Sequence, residues 1–247
     1  MSDLIYAVGD IHGDLQKLQD MHARILRDAG PRDHTVVHIG DLVDRRHDSR
    51  GVIALLMQGQ AAGKPWVVLK GNHDRMMTDF IRQGRRDHRL RPDWTWLYPQ
   101  LGAARTLASY GIDITTMTEP QALAAARAAV PEAHLDYLES LPDRWETGDV
   151  FFCHAGILPG RPLDEQVEDD LIWIRKPFHD HTGPHPKLIV HGHTPIAAVT
   201  HYGNRVNIDT GCAYGHALSA IVLEWGSVWE LTERGRRALS APYVTYP

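Results

Sequence analysis

One local design occurs three times between residues 4 and 74. Val36-Val37-His38-Ile39 runs into Gly40-Asp41-Leu42-Val43-Asp44-Arg45, Leu4-Ile5-Tyr6-Ala7-Val8 into Gly9-Asp10-Ile11-His12-Gly13, and Trp66-Val67-Val68-Leu69, after Lys70, into Gly71-Asn72-His73-Asp74. Each begins as a short apolar run rich in β-branched residues, the pattern of a buried strand. A glycine breaks the run, and a carboxylate, amide or imidazole follows at once. Asp10 and Asp41 are 31 residues apart, and so are Asp41 and Asn72. One strand and one crossover helix fill such an interval. Ligands of α/β sheets collect outside the carboxyl ends of the strands. The spacing therefore predicts an α/β fold in which these three loops meet at one site.

The 247 residues are enough for a large core, read as a single domain over 1–247. Apolar content of 43% and charged content of 23% are ordinary for a globular chain. A net charge of −5 argues against a general nucleic-acid binder, which carries a basic surplus. Sixteen histidines are many for this length, and imidazole is the commonest metal ligand. Cys153 and Cys212, with no CxxC pair, suggest neither a disulfide framework nor a zinc knuckle. No apolar run approaches 18 residues, and the chain enters a strand with no charged-then-apolar leader. The expectation is a cytoplasmic protein with neither a nucleic-acid nor a membrane partner.

Helices are expected over 14–29, 49–62, 75–83, 121–130 and 131–141, from apolar residues at helical spacing and from Gly30-Pro31 and Gly63-Lys64-Pro65 as stops. Residues 84–114 are less regular, with a basic cluster (Arg82, Arg85, Arg86, Arg89, Arg91) and an aromatic one (Trp94, Trp96, Leu97, Tyr98). They read as an insertion over the rim of the site. In the second half, strands at 149–153 and 187–190 deliver His154-Ala155-Gly156 and His191-Gly192-His193-Thr194-Pro195, and further strands are expected at 197–201, 206–209, 218–224 and 227–231. Helices early and strands late suggest a mixed sheet, or two sheets packed between helices.

Asp10, His12, Asp41, Asn72, His154 and His193 combine hard oxygen donors with imidazoles. That set suits manganese, iron or zinc better than calcium and lacks the thiolates of a structural zinc site. One ion cannot use six such ligands, but two ions sharing Asp41 can. Paired metals clamp the attacking and leaving oxygens of an in-line phosphoryl displacement. His73 follows Asn72 and falls beside the metals pointing elsewhere, and Asp44 is placed to orient its imidazole for proton donation. Arg45 and Arg175 supply planar forks that match phosphate oxygens.

In this order the residues resemble the phosphoprotein phosphatase branch of the calcineurin-like metallophosphoesterases. The pattern GDxHG stands at 9–13, GDxVDR at 40–45, and GNHD at 71–74, followed by the HAG element at His154 and the GHT element at Gly192-His193-Thr194. The resemblance implies an α/β four-layer αββα sandwich of two mixed sheets. It implies one metal on Asp10, His12 and Asp41, and a second on Asp41, Asn72, His154 and His193. It implies His73 and Asp44 as the acid pair, and Arg45 and Arg175 on the substrate phosphate. The implied reaction is in-line attack by a hydroxide bridging two divalent ions, with manganese expected and iron or zinc as alternatives. Within the branch the chain looks most like small bacterial enzymes. The His-Gly-His-Thr-Pro form and Asn207-Ile208-Asp209-Thr210-Gly211-Cys212-Ala213 favour a serine/threonine protein phosphatase acting on a phosphoprotein or a phosphorylated small molecule. The alternative is a symmetrical diadenosine tetraphosphate hydrolase releasing two ADP. No appended module points to a regulatory subunit. Arg46 stands where the pattern has glycine, and is expected to alter the loop after Arg45 and to bring positive charge near the substrate.

Other conspicuous residues have plainer readings. His191 is expected to support rather than ligate. His179, His181 and His185, among prolines and glycines, read as solvated. The Arg82–Arg91 cluster reads as a solvated rim, Trp94 and Trp96 as a lid core rather than a base-stacking pair, and Cys153 as a small buried apolar residue.

Overall fold

The computed structural model describes residues 4–241. In chain order it contains β1 (Leu4–Val8), α1 (Leu15–Ala29), β2 (Thr35–His38), α2 (Ser49–Ala61), β3 (Trp66–Val68) and α3 (Asn72–Thr78). These are followed by α4 (Ala103–Ser109), α5 (Glu119–Ala129), α6 (Glu132–Ser140), β4 (Arg144–Thr147), β5 (Val150–Cys153), α7 (Glu168–Trp173) and α8 (Lys176–His179). The chain then runs through β6 (Leu188–His191), β7 (Thr200–His201), β8 (Arg205–Asn207), β9 (Ala220–Glu224), β10 (Ser227–Thr232) and β11 (Gly235–Ala238). α1 and α2 begin alike: Asp14 accepts from Lys17 N at 3.3 Å and Asp48 from Gly51 N at 2.7 Å, each satisfying a backbone donor that the helix start leaves orphaned.

The strands form two mixed sheets, ordered β11-β10-β9-β1-β2-β3 and β4-β5-β6-β8-β7. β1, β2 and β3 are parallel neighbours, with Val8 opposite His38 and His38 opposite Val68. The three repeated loops therefore leave adjacent strands at the same edge. In the second sheet β5, β6 and β8 are likewise parallel, so the loops carrying His154, His193 and Asp209 share an edge too.

Period-two alternation explains the layering. Leu4, Tyr6 and Val8 of β1 join a core with Leu18, Met21 and Ile25 of α1 and Val52, Ile53 and Leu56 of α2. Ile5 and Ala7, on the opposite face, join Phe152, Val190 and Val206 of the second sheet. Phe151, Cys153 and Ile189, on the far face of that sheet, pack on Leu171, Ile172 and Phe178 of α7 and α8. Three cores separate four layers: helix, sheet, sheet, helix. Strands covered on both faces need apolar residues throughout, and for that reason β1, β5 and β6 read as continuous apolar runs.

Several local expectations are corrected. α3 begins at Asn72 and continues through a π-helical turn, Asp79–Gln83, instead of starting at Arg75. β4, β11 and α7 were not anticipated. β4 is a half-exposed edge strand without an apolar run, and α7 is too short for periodicity to register. Residues 84–114 are more than a rim: Trp96, Leu101, Leu107 and Tyr110 enter the first core, and α4 lies among them. Among the described residues no helix is long and apolar enough to cross a membrane.

Candidate metal centre and phosphate pocket

The loops after β1, β2, β3, β5 and β6 converge, and their backbones are unusual. Among the described residues six non-glycines have positive φ, and five are His12, Asp41, Asp44, Arg45 and His193. Each such conformation costs on the order of 1–3 kcal/mol and persists only where its surroundings over-determine it. Glycines permit the close approach. A Cβ on Gly71 would lie 2.2 Å from Asp41 N, and one on Gly192 would lie 2.1 Å from Asp10 Oδ1.

At the centre is Asp41, 2% exposed. Its Oδ2 lies 3.3 Å from His12 Nε2 and its Oδ1 3.4 Å from His154 Nε2, and Oδ1 accepts from His73 N at 3.0 Å. His12 Nδ1 donates to Val43 O at 2.9 Å and His154 Nδ1 to Ile39 O at 3.0 Å, so both Nε2 atoms carry lone pairs. Burial holds both imidazoles neutral, His12 pushed down to about 3 and His154 lowered. Asn72 Oδ1 faces His154 Nε2 at 3.0 Å, again acceptor to acceptor. His193 Nδ1 is 3.2 Å from the same nitrogen, and its Nε2 is buried without a partner among the described residues. Acceptors turned on one another around a carboxylate are unfavourable by themselves and fitting around cations. The donor atoms fall into two groups, His12–Asp41–His73 and Asp41–His154–His193, with Asp41 in both.

Asp10 is raised by burial and by the nearby Asp209 and Asp41 carboxylates. It accepts from His193 N at 3.1 Å, which ties the first strand loop to the sixth.

His73 turns its Nδ1 to Asp44 Oδ2 at 2.6 Å and its Nε2 to the pocket, 3.3 Å from Arg45 Nη2. Asp44 is fully buried. It also accepts from Trp96 Nε1 at 2.9 Å and from Thr106 Oγ1 at 2.7 Å. Arg45 Nη1 donates to the Tyr214 hydroxyl, and its guanidinium lies over that ring at 5.1 Å. Arg45, Arg89, Arg91 and Arg175 line a pocket of about 360 Å³ above His12, Asp41, Asn72, His73 and His193.

Ten residues are expected at the site from the sequence. His12, Asp41, Asn72, His154 and His193 converge, Asp10 reaches them through the His193 backbone, His73 and Asp44 are paired, and Arg45 and Arg175 face the pocket. Sequence reasoning missed Thr106, Tyr214 and Asp209. Asp209 lines the pocket at 3% exposure, and burial raises its carboxyl to about 6. Its loop had drawn attention only as a pointer to subfamily.

Some expectations change. Arg46 turns from the pocket to Asp14 Oδ2 at 3.3 Å, with its N donating to His12 O, so it brings no charge to the substrate. Trp96 belongs to the core, whereas Trp94 lines the pocket, stacked on Tyr98 at 3.9 Å with Arg91 over it. Of the arginine cluster, Arg82 pairs with Glu132 and Asp136 and Arg85 with Asp79, while Arg89 and Arg91 reach the pocket. His179, His181 and His185 are half-buried instead of solvated, and His185 stacks on Phe178. His191 is buried, accepts from Arg205 at 3.2 Å and lies outside the pocket. Cys153 is fully buried among apolar residues.

Comparison with known proteins agrees with this geometry. Residues 4–222 match the family described as calcineurin-like phosphoesterase. Proteins named bis(5'-nucleosyl)-tetraphosphatase PrpE [asymmetrical] are similar: that of Oceanobacillus iheyensis is 24% identical over 86% of each chain, and that of Bacillus thuringiensis 25% identical over 87% of this chain and 88% of its own. A solved structure provisionally named a diadenosine tetraphosphatase shares the fold at 24% identity and a TM-score of 0.64, covering 92% of both chains. A cold-active protein-tyrosine phosphatase of a psychrophile Shewanella shares it at 17% identity and 0.57, over 96% of this chain and 80% of its own. The chain belongs to the calcineurin-like phosphoesterase family and is a hydrolase of phosphoester bonds.

Proposed function

We propose that the protein hydrolyses the polyphosphate bridge of a dinucleoside polyphosphate at a centre of two divalent cations, with manganese the expected metal. The observation that carries this reading is the pocket lining: four arginines and a tryptophan above the convergent carboxylate, amide and imidazoles. Four guanidinium forks are more than one phosphoryl group uses, and they suit a chain of phosphates. The printed names of the PrpE relatives support the same substrate class. The stretches that favoured a protein phosphatase have architectural work: the Asn207 side chain donates to Thr194 O at 2.9 Å and accepts from Asp209 N at 2.9 Å. They lock the loop after β8 to the loop after β6 and say little about substrate.

In this reading Asp10, His12 and Asp41 hold one cation, and Asp41, Asn72, His154 and His193 the other. Bound there, two divalent cations neutralise phosphoryl charge and acidify water. Arg45 and Arg175 orient the phosphoryl oxygens. Arg45 leaves His73 Nε2 for the phosphate, which frees that nitrogen to take up a proton from solvent and hand it to the leaving oxygen. Asp44 stabilises the imidazolium and fixes its ring, and Trp96 and Thr106 hold Asp44 in turn. The test is turnover with manganese on diadenosine tetraphosphate and on a phosphoserine peptide. Nucleotide products from the first, with kcat/KM at least about 100-fold above that for the peptide, are expected, a ratio worth about 2.7 kcal/mol. Peptide dephosphorylation with the dinucleotide intact contradicts the reading.

A further inference from the structure

A second and larger groove, about 860 Å³, adjoins the arginine pocket, and Pro195 and Tyr214 line both. The two differ in chemistry. Four arginines line the arginine pocket. In the larger groove the charged side chains already have protein partners. Lys17 donates to Gly215 O and His216 O and pairs with Asp14, Arg24 pairs with Glu233, and Glu230 pairs with Arg237. Its floor is apolar, with Met21, Ile196, Leu218 and Leu231. Phosphates belong in the first space, and an uncharged ring system with hydroxyl and amino groups belongs in the second.

Size leads to the same assignment. Pockets of about 300–1,000 Å³ hold drug-sized ligands, and 360 Å³ lies near the lower end. It holds a run of phosphates over the metal ligands but not both ends of a dinucleotide. Tyr214 stands at the junction, 62% exposed and with its hydroxyl on Arg45, an aromatic residue beside the phosphate-binding guanidinium.

We infer that this groove, running past Tyr214 between α1, the loop after β6 and β10, is the subsite for one nucleoside end of an extended polyphosphate substrate. The inference rests on the dinucleoside reading above and adds where one end of the substrate goes.

The test fills the groove from exposed positions away from the metal ligands. Ala198→Trp and Ala217→Trp each set an indole into it. The expected result is a KM for diadenosine tetraphosphate about tenfold higher in both variants, equivalent to about 1.4 kcal/mol. Turnover of p-nitrophenyl phosphate stays at the wild-type level and reports an intact fold and centre. Independently of turnover, saturation-transfer NMR of adenosine with metal-free protein shows binding in the wild type and none in the variants. An unchanged KM in both variants, with the wild type cleaving the dinucleotide, overturns the subsite and leaves the proposed function standing. A wild type that cleaves only a phosphopeptide, with KM for that peptide raised in the variants, overturns both and makes the groove a peptide channel.

Discussion

His73 and Asp44 illustrate how far single residues could be read in advance. Their pairing followed from motif spacing, and the 2.6 Å contact agrees with it. What holds Asp44 did not follow, because Trp96 and Thr106 arrive from 52 and 62 residues away and neither belongs to a motif. Asp10, Asp41, Asn72 and His193 stood out because each follows a strand's end and a glycine, and His154 because it directly follows a strand. Asp209 was not, because a single carboxylate in a loop carries no spacing. Three predictions belong at this scale. His73→Asn lowers kcat about 100-fold or more on an alkyl phosphomonoester and about tenfold or less on p-nitrophenyl phosphate, whose leaving group needs little protonation. Steady-state kinetics on the two substrates, with metal content measured in parallel, checks this, and equal losses contradict the proton-donor role. Trp96→Phe removes the indole donor and leaves one acceptor site of a buried carboxylate unfilled, costing about 1–3 kcal/mol in urea unfolding together with a fall in kcat. Arg46→Gly leaves kcat and KM near wild type, because its guanidinium serves Asp14.

Elements set the site through where strands end. Parallel register places the loops after β1, β2 and β3 side by side, and Gly40 and Gly71 let two of them touch, a Cβ on Gly40 falling 2.6 Å from Gly71 N. This was legible: β-branched run, glycine and ligand at equal spacing predict parallel strands with a common edge. The helices over 15–29 and 49–61 were equally plain, because each buries one apolar face. β4, β11 and α7 were hidden because short or half-exposed segments carry little periodicity. The contribution of 84–114 to the core was hidden because its apolar residues are irregularly spaced and meet the core through tertiary contacts. Gly71→Ala tests the close approach. Its Cβ collides with Asp41 backbone and carboxylate, so the expected outcome is a loss of about 1–3 kcal/mol of stability and reduced metal occupancy. Thermal melts and metal analysis of the purified variant read both, and an unaffected variant shows that the two loops have room to part.

At the scale of the whole molecule, four layers bury groups that prefer to stay uncharged. His22 and His38, 2.8 Å apart beneath Trp66, are held down by burial to about 4 and about 3. The unfolded chain binds protons on such residues below about 6.5, so stability falls as pH drops from about 6.5 toward 4. His22→Leu removes one of these titrations and lessens the loss between pH 7 and pH 5 by about 2 kcal/mol in urea unfolding. The αββα layering was legible only through the family resemblance, because composition and periodicity left one sheet or two open. The central claim is that Asp41 joins two cation sites into one centre. The direct measurement is anomalous diffraction at the manganese edge from crystals grown with the metal. The account predicts two peaks, both touched by the Asp41 carboxylate, with His12 at one and His154 and His193 at the other. A single peak, or a second ion that Asp41 does not reach, contradicts it.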